Sequence, residues 1–214
     1  MAYARLEVRS GMRRLVLLLT AMALALLLAS GVALAVNRIG TDGPDTLRGT
    51  NGNDNLLGRG DNDILFALNG RDNLLGGPGN DWLDTHPMGF RRGDKNMVGG
   101  SGNDAVIGGR GSDNVLGQEG NDLVADGPDR EFATDRLTAG DGNDVVAVVN
   151  RPAFVDIVSC GEGFDRVLAD RKDVLADDCE RVFIGFGSED EFIASIPQSF
   201  FEGLHPEFVE NLLG

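Results

Sequence analysis

Between residues 43 and 168 the chain repeats a pattern of nine residues, in which a glycine-rich polar half precedes a short apolar segment. Every copy carries one aliphatic residue or methionine at the same place, thirteen in all: Leu47, Leu56, Leu65, Leu74, Leu83, Met97, Val106, Val115, Val124, Leu137, Val146, Val158 and Val167. The three residues centred on each can form a short strand whose middle side chain points inward. Stacked copies bury a continuous column, which predicts an all-β fold, a parallel β-roll or β-solenoid of nonapeptide repeats.

A polar residue stands two positions before each apolar one, and it is aspartate in all copies but one. The aspartates are Asp45, Asp54, Asp63, Asp72, Asp81, Asp104, Asp113, Asp122, Asp135, Asp144, Asp156 and Asp165, and Lys95 takes the remaining place. Glycine usually stands two residues earlier and adopts positive φ without strain, so this half is predicted to form a tight turn. Where the spacing is broken, after Asp84, Asp126 and Ala147, we expect loops that leave the roll.

Three copies, GGPGNDWLD (76–84), GGSGNDAVI (99–107) and GGRGSDNVL (108–116), resemble without a mismatch the G-G-x-G-x-D-x-U-x nonapeptide of RTX, or hemolysin-type, calcium-binding repeats. The resemblance extends over residues 40 to 168. It implies a β-roll with two nonapeptides per coil and Ca²⁺ as the cofactor, held in the turns between coils. The ligands it implies are the carboxylates of Asp45, Asp54, Asp63, Asp72, Asp81, Asp104, Asp113, Asp122, Asp144 and Asp165, and turn carbonyls represented by Gly76, Gly79, Gly99, Gly102, Gly108 and Gly111.

The chemistry of the repeat agrees with this resemblance. Aspartates eighteen residues apart, such as Asp45 and Asp63 or Asp104 and Asp122, would stack on the same edge of the roll. Ca²⁺ prefers six to eight oxygen ligands, which carboxylates and turn carbonyls provide. Because stacked carboxylates repel each other, we expect ion binding to be coupled to folding. The alternative is a metal-free solenoid in which aspartate serves only as a turn residue.

Several copies depart from the repeat. Lys95 replaces the aspartate, which predicts the loss of that metal site, and its ammonium group is a candidate replacement for the cation. The copies at Asp135 and Asp156 have Ala133 and Phe154 in place of the glycine, so we expect strands there without a metal ion.

The N-terminal residues 1–35 have the pattern of a secretory signal peptide. Four arginines precede the apolar run Leu15–Leu28, and Ala33-Leu34-Ala35 provides a small-x-small cleavage site. The alternative is an uncleaved anchor, because the apolar stretch 15–36 is long enough to span a bilayer. Either case predicts a protein that is secreted and extracellular or held at the cell surface.

The net charge and the two cysteines further restrict which partners and which covalent links the sequence predicts. The formal net charge of −15 argues against a nucleic-acid partner and is compatible with calcium ions as partners. Cys160 and Cys179 are expected to form a disulfide in an exported chain, the alternative being two free thiols. We therefore expect a calcium-binding β-roll over residues 36–168, followed by a disulfide-stapled terminal coil over residues 169–186.

Residues 187–214 concentrate the aromatic side chains and predict two short helices, in SEDEFIAS and in HPEFVENLL. We interpret this tail as a cap on the roll, with a docking element or a C-terminal export signal as alternatives. Apolar residues also recur three positions after the aspartate, such as Phe66, Leu75 and Ile107, and would face outward. These outward-facing apolar side chains predict either that the C-terminal tail covers them or that the protein associates with itself.

No catalytic motif is present, and the two histidines, His86 and His205, lie apart beside prolines. We therefore expect a non-enzymatic structural or interaction protein, without membrane insertion after signal removal, whose protein partner is unknown. The alternative function is that of a metal-independent adhesin or surface-matrix component.

Overall fold

The computed structural model describes residues 35–85, 93–127, 133–150, 153–185 and 189–213. The predicted signal peptide therefore lies outside the described residues except for Ala35, and so does His86. No helix within the described ranges is both long and apolar enough to cross a membrane.

The described strands alternate strictly between two parallel sheets of eight strands each. The odd sheet contains β1 (Asn37–Ile39), β3 (Asn55–Leu57), β5 (Asp72–Pro78), β7 (Lys95–Ser101), β9 (Asn114–Glu119), β11 (Arg136–Gly142), β13 (Ile157–Gly163) and β15 (Val174–Leu175). The even sheet contains β2 (Thr46–Arg48), β4 (Ile64–Phe66), β6 (Trp82–Asp84), β8 (Ala105–Ile107), β10 (Leu123–Ala125), β12 (Val145–Val148), β14 (Arg166–Ala169) and β16 (Arg181–Ile184). Each coil thus contributes one strand to each sheet, which confirms the predicted parallel β-roll.

The register between coils follows the repeat. Leu56 pairs with Leu74 eighteen residues later, and Leu74 pairs in turn with Met97 although the intervening chain is longer. The longer intervening chain therefore does not shift the pairing of the strands. All thirteen apolar residues of the repeat belong to one buried cluster, and none is more than 9% exposed. The column predicted from the sequence is thus the core between the two sheets.

The turns explain why glycine recurs at two places in each copy. Gly77 and Gly79 have φ values of 121° and 142°, and a Cβ atom at Gly79 would collide with the carbonyl oxygen of Asp61 in the preceding coil. Arg59 and Gln118 adopt the same left-handed backbone at the place of the earlier glycine, with φ values of 98° and 94°. Stacking on neighbouring coils therefore imposes the turn even where the side chain disfavours it.

The disulfide between Cys160 and Cys179 is present, as predicted. Cys160 is fully buried in the same cluster as the aliphatic column, and Cys179 packs against that cluster. The bridge therefore continues the core into the last coil, where β15 has only two residues.

Three short helices follow the roll: α1 (Glu189–Ser195), α2 (Gln198–Gly203) and α3 (Pro206–Leu213). The sequence predicted α1 and α3 but not α2. Phe192, Phe200 and Phe208 from these helices join a second buried cluster on the outer face of the even sheet. Trp82 lies at its centre, with its ring centroid 5.5 Å from that of Phe208. The helices thus pack against one sheet face.

The outward-facing apolar residues divide between the two sheets. Phe66, Ile107 and Leu168 of the even sheet pack within the cluster that holds the helices. On the odd sheet, Leu75 is 42% exposed and Ile39 is 67% exposed. The expected cover by the tail is therefore found for the even sheet.

Candidate metal centre

Two rows of side chains, acidic except at Lys95, run along the edges of the roll, and each residue lies at the start of a strand or just before it. The first ladder precedes the even strands and consists of Asp45, Asp63, Asp81, Asp104, Asp122, Asp144 and Asp165. The second ladder precedes the odd strands and consists of Asp54, Asp72, Lys95, Asp113, Asp135, Asp156 and Asp173. Residues at equivalent positions of alternate copies are therefore stacked on one another, as the sequence indicated.

From Asp54 onward, one carboxylate oxygen of each ladder aspartate accepts a backbone N–H from the preceding coil. The backbone N–H of Asp104 donates to Oδ1 of Asp122, and that of Asp63 donates to Oδ1 of Asp81, both at 2.8 Å. The second ladder repeats the arrangement, as the N–H of Asp54 donates to Oδ1 of Asp72 at 2.8 Å. The aspartates thus cross-link successive coils, a role that the sequence did not reveal.

The structure extends both ladders beyond the residues selected from the sequence. Asp135 accepts the N–H of Asp113 and Asp156 accepts that of Asp135, at 2.7 and 2.8 Å, although these copies lack the glycine. Asp173 accepts the N–H of Asp156 at 3.1 Å, and Oε2 of Glu180 accepts that of Asp165 at 2.9 Å. Asp173 and Glu180 each stand two positions before an aliphatic residue, so the same offset identifies them.

Among the described residues, the second carboxylate oxygen is buried without a hydrogen-bond partner along most of the first ladder and at Asp135 of the second. This is the state of Oδ2 in Asp63, Asp81, Asp104, Asp122, Asp135, Asp144 and Asp165. All seven residues are 0% exposed. A buried polar atom without a partner costs about 1–3 kcal/mol, and more when it is charged. A row of such oxygens is therefore unfavourable unless a cation or a proton satisfies it.

The first coil differs from those that follow. Oδ2 of Asp45 accepts hydrogen bonds from the Thr41 N–H and hydroxyl groups, at 2.5 and 2.9 Å. Oδ2 of Asp54 is bonded in the same way to the N–H and hydroxyl of Thr50. Oδ2 of both aspartates therefore has partners within the protein, and Oδ1 of Asp54 accepts the N–H of Val36 at 2.7 Å.

The protonation of the ladders follows from their burial. Desolvation raises the pKa of Asp104 and of Asp135 to about 9 and that of Asp122 to about 8, although hydrogen bonds from backbone N–H groups oppose the rise. Neighbouring ladder carboxylates raise these pKa values further. Without a cation, the central carboxyl groups are therefore protonated at neutral pH, and each would have to lose its proton to bind a metal ion.

The predicted glycines lie against the carboxyl groups. A Cβ atom at Gly76 or Gly99 would collide with Oδ2 of Asp81 or Asp104 in the same copy, and one at Gly108 would lie 2.9 Å from Oδ2 of Asp113. Gly79, Gly102 and Gly111 have positive φ and stack on a backbone carbonyl of the preceding coil. Each copy therefore brings turn carbonyls and a carboxylate together, and this set of hard oxygen donors fits Ca²⁺.

Fold and site together define the class: a parallel β-roll with a ladder of buried carboxyl groups along each edge. The sequence matches the family model of the RTX calcium-binding nonapeptide repeat in four segments, residues 39–74, 67–86, 96–124 and 133–147. This match confirms the resemblance of the repeat region to RTX-type calcium-binding repeats. A search of curated proteins gave no match. The ladders continue past the last matched segment, through Asp165 in the first and Asp173 in the second.

Proposed function

We propose that this protein is an exported calcium-binding β-roll in which Ca²⁺ ions occupy the turns between coils and drive folding. The observation that carries the proposal is the row of buried Oδ2 atoms without partners, which includes those of Asp81, Asp104 and Asp122. The RTX match supports calcium as the ion. The carboxylates of the two ladders, with the carbonyls of the turn glycines, would hold it.

Coupling to folding follows from the same burial. In the unfolded chain each aspartate is solvated and ionised at neutral pH, whereas in the roll it must either bind a proton at a raised pKa or meet a cation. A cation that binds only the folded roll stabilises it by mass action. The calcium concentration outside cells is high enough to occupy weak extracellular modules, whose dissociation constants are roughly 10⁻⁴–10⁻³ M. Export into such a medium would then trigger folding.

We further propose a non-enzymatic structural or interaction role. His205 is buried, its Nδ1 atom accepts the N–H of Glu207 at 3.2 Å, and desolvation lowers its pKa. These contacts suit a neutral residue that fixes the start of α3. The family match, the disulfide and the pattern of residues 1–35 support an extracellular location.

A metal-independent solenoid with an adhesive or matrix role is the second candidate. One observation favours it: the Oδ1 atoms already satisfy backbone N–H groups of the neighbouring coils without any ion. In that case the aspartates would serve the backbone alone, and asparagine, which keeps one carbonyl oxygen, would replace them without loss.

Calcium titration of a matched pair of variants tests the proposal. We expect isothermal titration of residues 36–214 to show several Ca²⁺ ions bound, and the variant Asp122→Asn to bind fewer. Asp141→Asn is the control, because Asp141 is an exposed residue near the end of β11, outside both ladders. A wild-type protein that binds no calcium would contradict the proposal, and so would equal ion counts in wild type and Asp122→Asn.

A further inference from the structure

Lys95 occupies the one non-acidic position of the second ladder, and its side chain turns into the roll. Its Nζ atom donates to the carbonyl oxygens of Gly70 and Gly93, at 2.7 and 2.9 Å. The same atom lies 3.3 Å from Oδ2 of Asp72, and both side chains are 0% exposed. A positive charge is therefore held between two coils by two turn carbonyls and one carboxylate.

The neighbouring coil junctions present the same kinds of oxygen. Gly93 stacks on the carbonyl of Gly70, and Gly102 stacks in the same way on the carbonyl of Gly79. In both pairs the glycines stand two residues before a ladder position. At the second junction, however, Oδ2 of Asp81 has no hydrogen-bond partner. The Lys95 ammonium thus fills a position that is defined by the repeat and that no protein group fills beside Asp81.

We propose that the Lys95 ammonium takes the place of one bound cation, so that the second ladder consists of two calcium-binding blocks joined by a junction that the chain neutralises itself. The proposal rests on the proposed function for the remaining junctions. Lys95 follows the interruption of the repeat between β6 and β7, where the ladder spacing is longest. A covalently attached charge keeps these two coils joined when calcium is absent.

The surroundings of Asp72 support this assignment. Its Oδ2 atom lies 3.3 Å from the Lys95 Nζ atom, whereas Oδ2 of Asp104 in the first ladder has no hydrogen-bond partner among the described residues. Asp72 is therefore a buried carboxyl group that already faces a counter-charge from the chain.

The test compares three variants of residues 36–214. Lys95→Asp should bind one more Ca²⁺ than the wild type, measured by titration and by metal analysis after gel filtration. Lys95→Met should bind the same number of ions as the wild type but unfold at a lower temperature in saturating calcium, because Asp72 loses its partner. Lys172→Met is the matched control, since Lys172 also donates to a backbone carbonyl, that of Ala153, but is exposed.

The outcomes separate this inference from the proposed function. A wild type that binds no calcium overturns the proposed function. A wild type that binds calcium, together with a Lys95→Asp variant that binds the same number of ions, overturns the Lys95 inference alone. A Lys95→Asp chain that fails to fold in saturating calcium also overturns it, as does a Lys95→Met variant as stable as Lys172→Met.

Discussion

The two edges of the roll share one backbone design but neutralise their charge differently. In both ladders an Oδ1 atom accepts the N–H of the preceding coil. The first ladder contains only aspartate from Asp45 to Asp165, whereas the second contains the buried pair of Asp72 and Lys95. The hydrogen-bonding role of the ladder is thus independent of its charge. The first ladder needs a counter-ion along its buried length, while the second carries part of its own.

The largest expected effect that separates the edges is that of pH on the calcium-free roll. Native pKa values of about 7 for Asp81 and Asp144 and about 9 for Asp104 lie above the unfolded value of 3.8. Groups of this kind stabilise the fold fully below pH 3.8, and this stability is lost as the pH rises through about 7 to 9. We therefore expect the thermal midpoint in EDTA to fall from pH 5 to pH 9.

Hydrogen exchange tests whether this loss of stability at high pH begins at the first ladder. The N–H of Asp81 donates to Asp104, and that of Asp54 donates to Asp72, which Lys95 keeps paired. In EDTA at pH 8 we expect the Asp81 amide to lose protection before the Asp54 amide. A thermal midpoint that rises with pH in EDTA, or equal exchange at the two amides, would refute this difference between the edges.

Removing one charge from each ladder should have opposite effects in EDTA at pH 8. Asp72→Asn leaves the Lys95 ammonium buried without its carboxylate, and breaking a buried ion pair costs about 3–5 kcal/mol. Asp104→Asn keeps one oxygen for the Asp81 N–H and removes a group whose ionisation opposes folding, so it should stabilise the calcium-free roll by at least about 1.4 kcal/mol.

Denaturant unfolding of both variants measures this contrast, with the exposed Asp141→Asn as the control. In saturating calcium the order should change, because Asp104→Asn then lacks a ligand. If both variants destabilise the calcium-free protein equally, the ladders do not differ in how they are neutralised.

A smaller difference is expected from the first glycine of the repeat. In Gly99→Ala the new methyl group collides with the Asp104 carboxyl group of the first ladder, whereas in Gly108→Ala it lies 2.9 Å from Oδ2 of Asp113 in the second. Overpacking of this kind costs about 1–3 kcal/mol. We expect Gly99→Ala to lower both the stability and the calcium affinity more than Gly108→Ala does, in thermal and calcium titrations. Equal losses would show that the carboxyl position is not set by this contact.

The repeat made the core and the strand register predictable, because a period of nine with one apolar residue leaves few ways to bury it. Leu83 and Met97 could be assigned to one column although the spacing between them is irregular. The cross-coil bonds from Oδ1 could not be predicted, since they depend on the side-chain rotamer and on the separation of the coils. From the missing glycines we expected strands without a metal ion at Asp135 and Asp156. The strands are present, and both carboxyl groups also accept cross-coil N–H groups, which the glycine pattern did not reveal.

The docking of the C-terminal helices was predicted only as a cover, without the choice of face. A signal for that choice lies one position after each ladder residue. On the even sheet this position holds apolar residues such as Ile64, Trp82 and Val145, which are buried with the helices. On the odd sheet it holds asparagine in β3, β5, β7 and β9, and Asn73 donates to Asn55 across the coils at 2.8 Å. The helix α2 was missed because its sequence, QSFFEG, is too short to show a helical period.

The most direct test of the central claim, that the ladders are calcium ligands coupled to folding, is far-UV circular dichroism of residues 36–214 at pH 8. The protein is measured in EGTA and then titrated with CaCl₂ or with MgCl₂. We predict that part of the roll is unfolded in EGTA, so that the β signal is weak, and that Ca²⁺ but not Mg²⁺ raises it to full intensity. A β spectrum that EGTA leaves unchanged would contradict the account, because the turns would then form without any ion.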